Sequence, residues 1–92
     1  MIKTFSCKDT EKLFYDKRVR RFQSFERQAR KRLIVLHAAP SLEALMLNPS
    51  NKFHALGGNT KDQFAISINK QWRICFNWDE CNAYNVEIVD YH

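Results

Sequence analysis

An alternating run of apolar and polar residues over 72–78 constrains the fold more than any other part of the chain. Successive side chains of a β-strand point to opposite faces, so Trp72, Ile74, Phe76 and Trp78 would share one face. Arg73, Cys75 and Asn77 would then share the other. The run therefore predicts a strand with one face on an apolar core and an arginine on the opposite face.

Further strands are predicted on both sides of this one. A strand over 63–68 precedes it, and the Asn69-Lys70 link between them predicts a hairpin. A strand over 83–89 follows it and leads directly into Asp90, Tyr91 and His92. The run at 2–5 also alternates, which predicts a short edge strand near the N-terminus.

Helices are predicted between the first strand and the later ones. One short helix is expected to begin at Asp9 or Thr10 and another at Ser41, because these residues are favoured N-caps. From about Arg21 to Ala38, apolar residues recur at offsets of three and four, which is typical of an amphipathic helix. His37 near its end is predicted to interact with the helix dipole.

This order predicts an α+β fold, with an N-terminal strand and two to three helices packed on a mainly antiparallel sheet. The 92 residues are expected to form a single domain, 1–92. No apolar run reaches the roughly 20 residues that span a bilayer, and the N-terminus lacks an apolar signal region. We therefore expect a cytoplasmic protein without a membrane partner.

The three cysteines, Cys7, Cys75 and Cys81, have spacings that match no zinc site. They are expected to be reduced thiols, and the sequence predicts neither a metal site nor a cofactor.

Positive charge is concentrated in the first part of the chain. The net charge is +5, and residues 1–39 hold eleven Lys or Arg against four Asp or Glu. On the predicted helix, Arg20, Arg27 and Lys31 lie opposite the apolar stripe, and we call these three residues the basic rail. Such a surface predicts a polyanionic ligand, although a solvated helix face is the alternative.

Two histidines and an arginine suggest chemistry on RNA. His54 and His92 could act as base and acid, Arg73 could stabilise charge on phosphorus, and Tyr91 could stack on a base. Any one of them alone would more often be an ordinary surface residue. No Asp or Glu cluster predicts a two-metal site, so the combination favours metal-independent RNA cleavage by the 2′-OH of the RNA itself.

Four segments of the chain resemble the HigB branch of the RelE-like bacterial toxins. They are Met1-Ile-Lys-x-Phe5, the segment around His54, Trp72-Arg-Ile-x-Phe76 and Asp90-Tyr91-His92. The resemblance covers essentially the whole chain. It implies the toxin of a type II toxin–antitoxin system, an endoribonuclease that cleaves mRNA on the ribosome. It also implies a helix-turn-helix antitoxin as partner, with DNA contacted only through that antitoxin.

The resemblance also assigns roles to residues. It implies that His54 and His92 are catalytic imidazoles, that Arg73 contacts phosphate, and that Asp90 and Tyr91 form a C-terminal active-site pair. The basic rail would then suit ribosomal RNA.

The chain departs from the family pattern just after His54. Relatives commonly place Lys or Arg there, whereas this chain has Gly57 and Gly58, so Lys52 or Lys61 would have to substitute. Loss of one charge-assisted contact to phosphate lowers the cleavage rate by about 10- to 150-fold, which predicts a mild toxin. A catalytically weak or inactive module that binds RNA or the antitoxin is the alternative. A DNA-binding regulator is disfavoured, since no helix-turn-helix spacing is present.

Overall fold

Four antiparallel strands form a sheet in the computed structural model, which describes residues 1–56 and 63–90. In spatial order they are β1 (His54–Leu56), β2 (Gln63–Ser67), β3 (Trp72–Asp79) and β4 (Asn82–Asp90). The helices are α1 (Lys8–Phe14), α2 (Glu26–Ala38) and α3 (Leu42–Leu47), with 3-10 helices at Arg20–Phe25 and Pro49–Asn51. The predicted α+β fold is confirmed.

The apolar face of β3 lies on the core, as its alternation predicts. Ile74 and Phe76 are fully buried, and Trp72 packs against the core from the end of the strand. The ring of Trp72 stacks on Phe25 with centroids 4.8 Å apart, so the 3-10 helix at 20–25 covers this end of the sheet. Arg73 therefore lies on the face of the sheet that points away from the helices.

The predicted helix over 21–38 is two elements, and the prediction of one continuous α-helix is wrong. Arg20–Phe25 forms a 3-10 helix, and α2 begins only at Glu26. Val19, Phe22 and Phe25 are buried at a spacing of three, which matches the three residues per turn of a 3-10 helix. The next buried residue, Ala29, follows after four, where the α-helical period begins.

The N-terminal run lies parallel to β4 but forms only isolated bridges, at Ile2 and Phe5. A β-bulge in β4 interrupts the pairing with β3, with Asn85 in the left-handed region at φ 54°. The main-chain N–H of Asn85 donates to Thr4 Oγ1 at 2.8 Å, and Ser6 Oγ donates to the Asn85 carbonyl at 3.1 Å. These contacts attach the first residues of the chain to the bulge.

His37 lies in the last turn of α2, as predicted, and makes a contact that the sequence does not indicate. Its Nδ1 accepts a hydrogen bond from the main-chain N–H of Ile2 at 3.1 Å. Its ring also contacts Phe14, with centroids 5.2 Å apart. His37 therefore anchors the N-terminal run to the helical layer. Among the described residues, no helix is both long and apolar enough to cross a membrane.

The β3–β4 hairpin turns through Glu80 and Cys81, both in the left-handed region with φ of 47° and 68°. Two consecutive positive φ angles define the type I′ turn, which Asn-Gly fits best. We expect the double replacement Glu80→Asn with Cys81→Gly to raise the free energy of unfolding by about 1 kcal/mol, because left-handed backbone is less costly for these residues. Urea denaturation would measure the change.

Cys81→Ala is the matched control for that prediction. It removes the thiol but keeps the Cβ atom, so it is expected to give no gain in stability. Equal stability of Asn-Gly and wild type would contradict the assignment of backbone strain to this turn.

Candidate functional site

The predicted strand residues meet at one end of the sheet. β1 begins there and β2 ends there, with His54 opposite Ala65. β3 begins there too, and Arg73 lies opposite Ser67 of β2. Residues that are opposite in an antiparallel pair share a face, so His54, Ser67 and Arg73 all lie on the face away from the helices.

This outer face holds a cavity of about 220 Å³, which we call the strand-end cavity. Three of its described lining residues are cationic, one is a histidine, and none is a carboxylate. A concave surface with this charge attracts anions and concentrates them. The described lining residues are Lys52, His54, Ser67, Asn69, Lys70 and Arg73.

The turn between β2 and β3 positions two of these cations. Asn69 Oδ1 accepts hydrogen bonds from the main-chain N–H groups of Gln71 and Trp72, both at 2.8 Å. Ser67 Oγ donates to the carbonyl of Asn69 at 2.9 Å. The turn is thus held by its own side chains, and it fixes Lys70 beside the start of β3 and Arg73.

Lys52 is held at the entrance to β1 in a left-handed conformation, with φ 45°. The preceding Asn51 is 1% exposed, and its Nδ2 donates to the Leu45 carbonyl at 3.1 Å. Its Oδ1 accepts from Arg32 Nη1 at 2.7 Å. Both ends of the Asn51 amide are bound, which fixes the point at which the chain leaves the 3-10 helix. The position of Lys52, the next residue, is therefore fixed as well.

His54 and Arg73 are close enough to reach one phosphate group. They lie two strands apart and two residues apart along the strands, which places their Cα atoms about 12 Å from each other. His54 is exposed and Arg73 is half-buried. Both side chains rise from the same face, so an anion in the strand-end cavity would lie between the imidazole and the guanidinium.

Asp90 lies at the same end of the sheet but on the other face. It is opposite Trp72, and its Oδ2 accepts a hydrogen bond from Gln71 Nε2 at 3.2 Å. Asp90 is not among the described residues that line the strand-end cavity. Tyr91, His92 and Lys61 lie outside the described residues, so their predicted roles stay predictions.

The basic rail is divided between two elements. Arg27 and Lys31 are exposed on α2, whereas Arg20 belongs to the 3-10 helix before it. The rail is not part of the described lining of the strand-end cavity. The neighbouring Arg30 has a structural role, since it donates to the Leu13 carbonyl at 3.1 Å and pairs with Glu26 one helical turn away.

Three residues line the cavity without having been predicted from the sequence: Ser67, Asn69 and Lys70. Strand alternation carried a signal for Ser67, because it falls on the same face as Arg73 once the hairpin register is known. Asn69 and Lys70 were interpreted only as the hairpin link. Lys70 in the turn and Arg73 on the adjoining strand together indicate an anion site, and this pattern is visible in the sequence.

The thiols differ in acidity. Burial acts to raise the pKa of Cys7, but hydrogen bonds from Thr10 and Asp9 and the charge of Arg21 bring that pKa below its usual 9.0. Burial and the charge of Glu87 raise the pKa of Cys75, against the opposing charge of Arg73.

Because the thiolate is the reactive form, iodoacetamide is expected to modify Cys7 at lower pH than Cys75. Mass spectrometry of the alkylated protein would measure both rates across pH. Arg21→Gln removes the cation whose Nη2 lies 3.3 Å from Cys7 Sγ, so the Cys7 profile should move to higher pH and the Cys75 profile should not. Faster modification of Cys75 than of Cys7 in wild type would contradict this order.

Comparison with known proteins identifies the family of this chain. The model of one family, the RelE-like toxin of the type II toxin–antitoxin system HigB, matches residues 3–92. The chain belongs to this family. It is also similar to Toxin HigB-1 of Vibrio cholerae serotype O1, with 34% identity over 83 residues, which are 88% of this chain and 87% of the relative.

Membership of the HigB family gives the chain a toxin role and implies an antitoxin as its partner. The resemblance inferred from the Trp-Arg-Ile strand and the Asp-Tyr-His end is therefore confirmed. In this HigB-family chain, the strand-end cavity combines the predicted His54 and Arg73 with two lysines.

Proposed function

We propose that this HigB-family protein is an endoribonuclease that cleaves mRNA on the ribosome and thereby inhibits translation and growth. The observation that carries the proposal is the strand-end cavity, where three cations and His54 line one concave surface without a carboxylate in its described lining. Each phosphodiester of RNA carries one negative charge, so the cationic surface of the cavity is suited to bind the RNA backbone.

The reaction proposed here needs no metal. The ribose 2′-OH attacks the adjacent phosphorus, the 2′-O–P bond forms, and the P–O5′ bond breaks to leave a 2′,3′-cyclic phosphate and a 5′-OH. One group takes the proton from the 2′-OH, and another gives a proton to the leaving 5′-oxygen. His54, exposed at the edge of the cavity, is suited to one of these transfers. The resemblance supplies His92, Tyr91 and Asp90 as candidates for the other.

The cations would stabilise the charge that builds up during the attack. The guanidinium of Arg73 can donate two parallel hydrogen bonds to phosphate oxygens, whereas Lys52 and Lys70 act as point charges. Their presence in the cavity supports the idea that they compensate for the loop cation that relatives carry after His54. Lys61 remains a further candidate. Activity below that of relatives with the loop cation is still the expectation.

The ribosome and the antitoxin are the proposed partners. Arg27 and Lys31 are exposed on α2 and would bind ribosomal RNA through its phosphates. The antitoxin is proposed to be a helix-turn-helix protein, and the toxin would contact DNA only through it.

Induced expression of the wild-type chain, with and without the antitoxin encoded beside it, would test the proposal. New 5′ ends in cellular mRNA would be mapped by primer extension, in the presence and absence of an inhibitor that keeps ribosomes off mRNA. We expect growth arrest and new ends that require translation and disappear when the antitoxin is expressed. A soluble, folded protein that produces no new ends would overturn the nuclease and favour the binding module.

A further inference from the structure

A second and larger cavity lies between α1 and the 3-10 helix at 20–25, and we call it the 3-10 cleft. Its volume is about 620 Å³, and it is open to solvent. Four of its six described lining residues are cations, against one carboxylate. The residues are Asp9, Lys12, Arg18, Val19, Arg20 and Arg21.

The single carboxylate of the 3-10 cleft is already neutralised. Arg21 Nε pairs with Asp9 Oδ2 at 2.9 Å, and the same guanidinium lies 4.4 Å from the centroid of the Phe22 ring. This fixes Arg21 as a wall of the cleft. Lys12, Arg18 and Arg20 have no ion-pair partner among residues 1–56 and 63–90. Their three charges are available to a ligand.

Both elements that line the 3-10 cleft contact the end of the sheet that carries the strand-end cavity. Thr10 of α1 is fully buried, and its Oγ1 accepts a hydrogen bond from the main-chain N–H of Ile88, two residues before Asp90. The 3-10 helix contacts the same end through the stacked rings of Phe25 and Trp72. Asp90 and Trp72 are directly paired. α1 and the 3-10 helix therefore pack against the end of β4 and the start of β3. Arg73 lies at this same end of the sheet, on the outer face.

From this arrangement we propose that the 3-10 cleft binds a backbone phosphate of the same RNA strand that enters the strand-end cavity, at a nucleotide outside the cleaved step. The strand would pass the end of β3 and β4 between two cationic surfaces. Arginine side chains match phosphate geometry, and their aliphatic stems together with Val19 provide the apolar wall on which a ribose or base can rest.

An acidic segment of a protein is the competing ligand, and two observations favour RNA. The elements that line the cleft contact the strand end at which the candidate active site lies, so one RNA strand can pass from one cavity to the other. The three unpaired cations also surround a concave surface, where the regularly spaced charges of a nucleic-acid backbone are neutralised efficiently. This inference rests on the proposed function, because it concerns the path of the RNA substrate.

Binding of single-stranded RNA to the double variant Arg18→Gln with Arg20→Gln would test the proposal. The probes are a 12-nucleotide and a 3-nucleotide RNA with 2′-O-methyl groups, which cannot be cleaved by attack of the 2′-oxygen. We expect about 10-fold weaker binding of the 12-nucleotide RNA and little change for the 3-nucleotide RNA, which cannot span both cavities. The slope of log K against log salt should fall by about 0.7 for each phosphate that the variant no longer neutralises.

Lys3→Gln with Lys17→Gln is the matched control, since it removes the same charge from exposed side chains that belong neither to the described lining of the cavities nor to the basic rail. Thermal denaturation would establish that both variants are folded, which is expected because all four side chains are exposed. Equal losses in the two variants would show general charge attraction and overturn the 3-10 cleft as a site. Unchanged RNA binding with a weaker antitoxin complex would also overturn it, in favour of protein docking.

The binding measurement is independent of cleavage. A wild-type chain that binds the uncleavable RNA through the cleft but never cuts mRNA would refute the proposed nuclease and leave the cleft assignment standing. A chain that cuts mRNA at the wild-type rate and with wild-type affinity after loss of Arg18 and Arg20 would refute the cleft assignment alone.

Discussion

Replacing His54 with glutamine is expected to lower the rate of mRNA cleavage by about 10²–10⁴-fold, the usual contribution of a general acid or base. Glutamine has a similar size and can form hydrogen bonds, but it cannot exchange a proton near neutral pH. His54 is exposed at the start of β1 and lines the strand-end cavity, so the change removes chemistry with little loss of packing. The measurement is the rate at which cut mRNA accumulates in a translation reaction.

Ala55→Gln provides the control for this substitution. Ala55 is exposed on the same short strand, but its side chain points to the opposite face of the sheet. The control should cut at the wild-type rate and unfold at the wild-type temperature. If His54→Gln cuts mRNA as fast as Ala55→Gln, then His54 has no part in proton transfer.

Replacing Arg73 with glutamine is expected to lower cleavage by about 10²–10³-fold, the cost of removing one preorganised donor from a developing oxyanion. The guanidinium is half-buried on β3 between β2 and β4, which limits its motion before the RNA arrives. Arg73→Lys keeps the charge but loses the planar pair of donors, so an intermediate rate is expected. Single-turnover measurements would show whether the loss falls on the chemical step.

Two controls separate the position of Arg73 from its charge. Lys3→Gln removes the same charge from an exposed side chain outside the described cavity lining and the basic rail, and an equal loss of cleavage there would mean that net charge, rather than the cavity, determines the rate. Cys75 gives a second readout, because the charge of Arg73 lowers the pKa of this thiol. In Arg73→Gln the alkylation profile of Cys75 should move to higher pH, and in Arg73→Lys it should stay near that of wild type.

The strand that carries Arg73 could be predicted from sequence because its alternation is strict. Trp72, Ile74 and Phe76 require a core, and only a strand places all of them on one face with Arg73 on the other. The family resemblance then assigned roles to His54 and Arg73 before their positions were known. The structure places them on one face, at one end of the sheet.

The break at Phe25 and the full lining of the strand-end cavity could not be predicted in the same way. Offsets of three and four both suit an α-helix, so Phe22 and Phe25 did not reveal a 3-10 helix by themselves. The cavity depends on the register of β1 against β2 and on the side-chain hydrogen bonds of Asn69. Such contacts between distant segments leave no local pattern in a single sequence.

Asp90 lies at the strand end where the resemblance implies an active-site group. The resemblance implies that Asp90, Tyr91 and His92 all belong to the active site. Residue alternation places Asp90 on the face of Trp72, where its carboxylate binds Gln71. A direct role for Asp90 in catalysis stays a prediction.

The pairing of the first residues with the last strand has a consequence for how the protein is made. Ile2, Phe5 and their neighbours contact β4 across about 80 positions of the chain, as in the bond from Lys3 N to the Ala83 carbonyl at 2.8 Å. During synthesis, Ile2 and Phe5 cannot form their bridges to β4 until residues 82–90 have emerged from the ribosome. Contacts this distant in sequence also slow folding. A nascent chain of this protein therefore remains without its completed sheet until residues 82–90 have left the ribosome that is translating it.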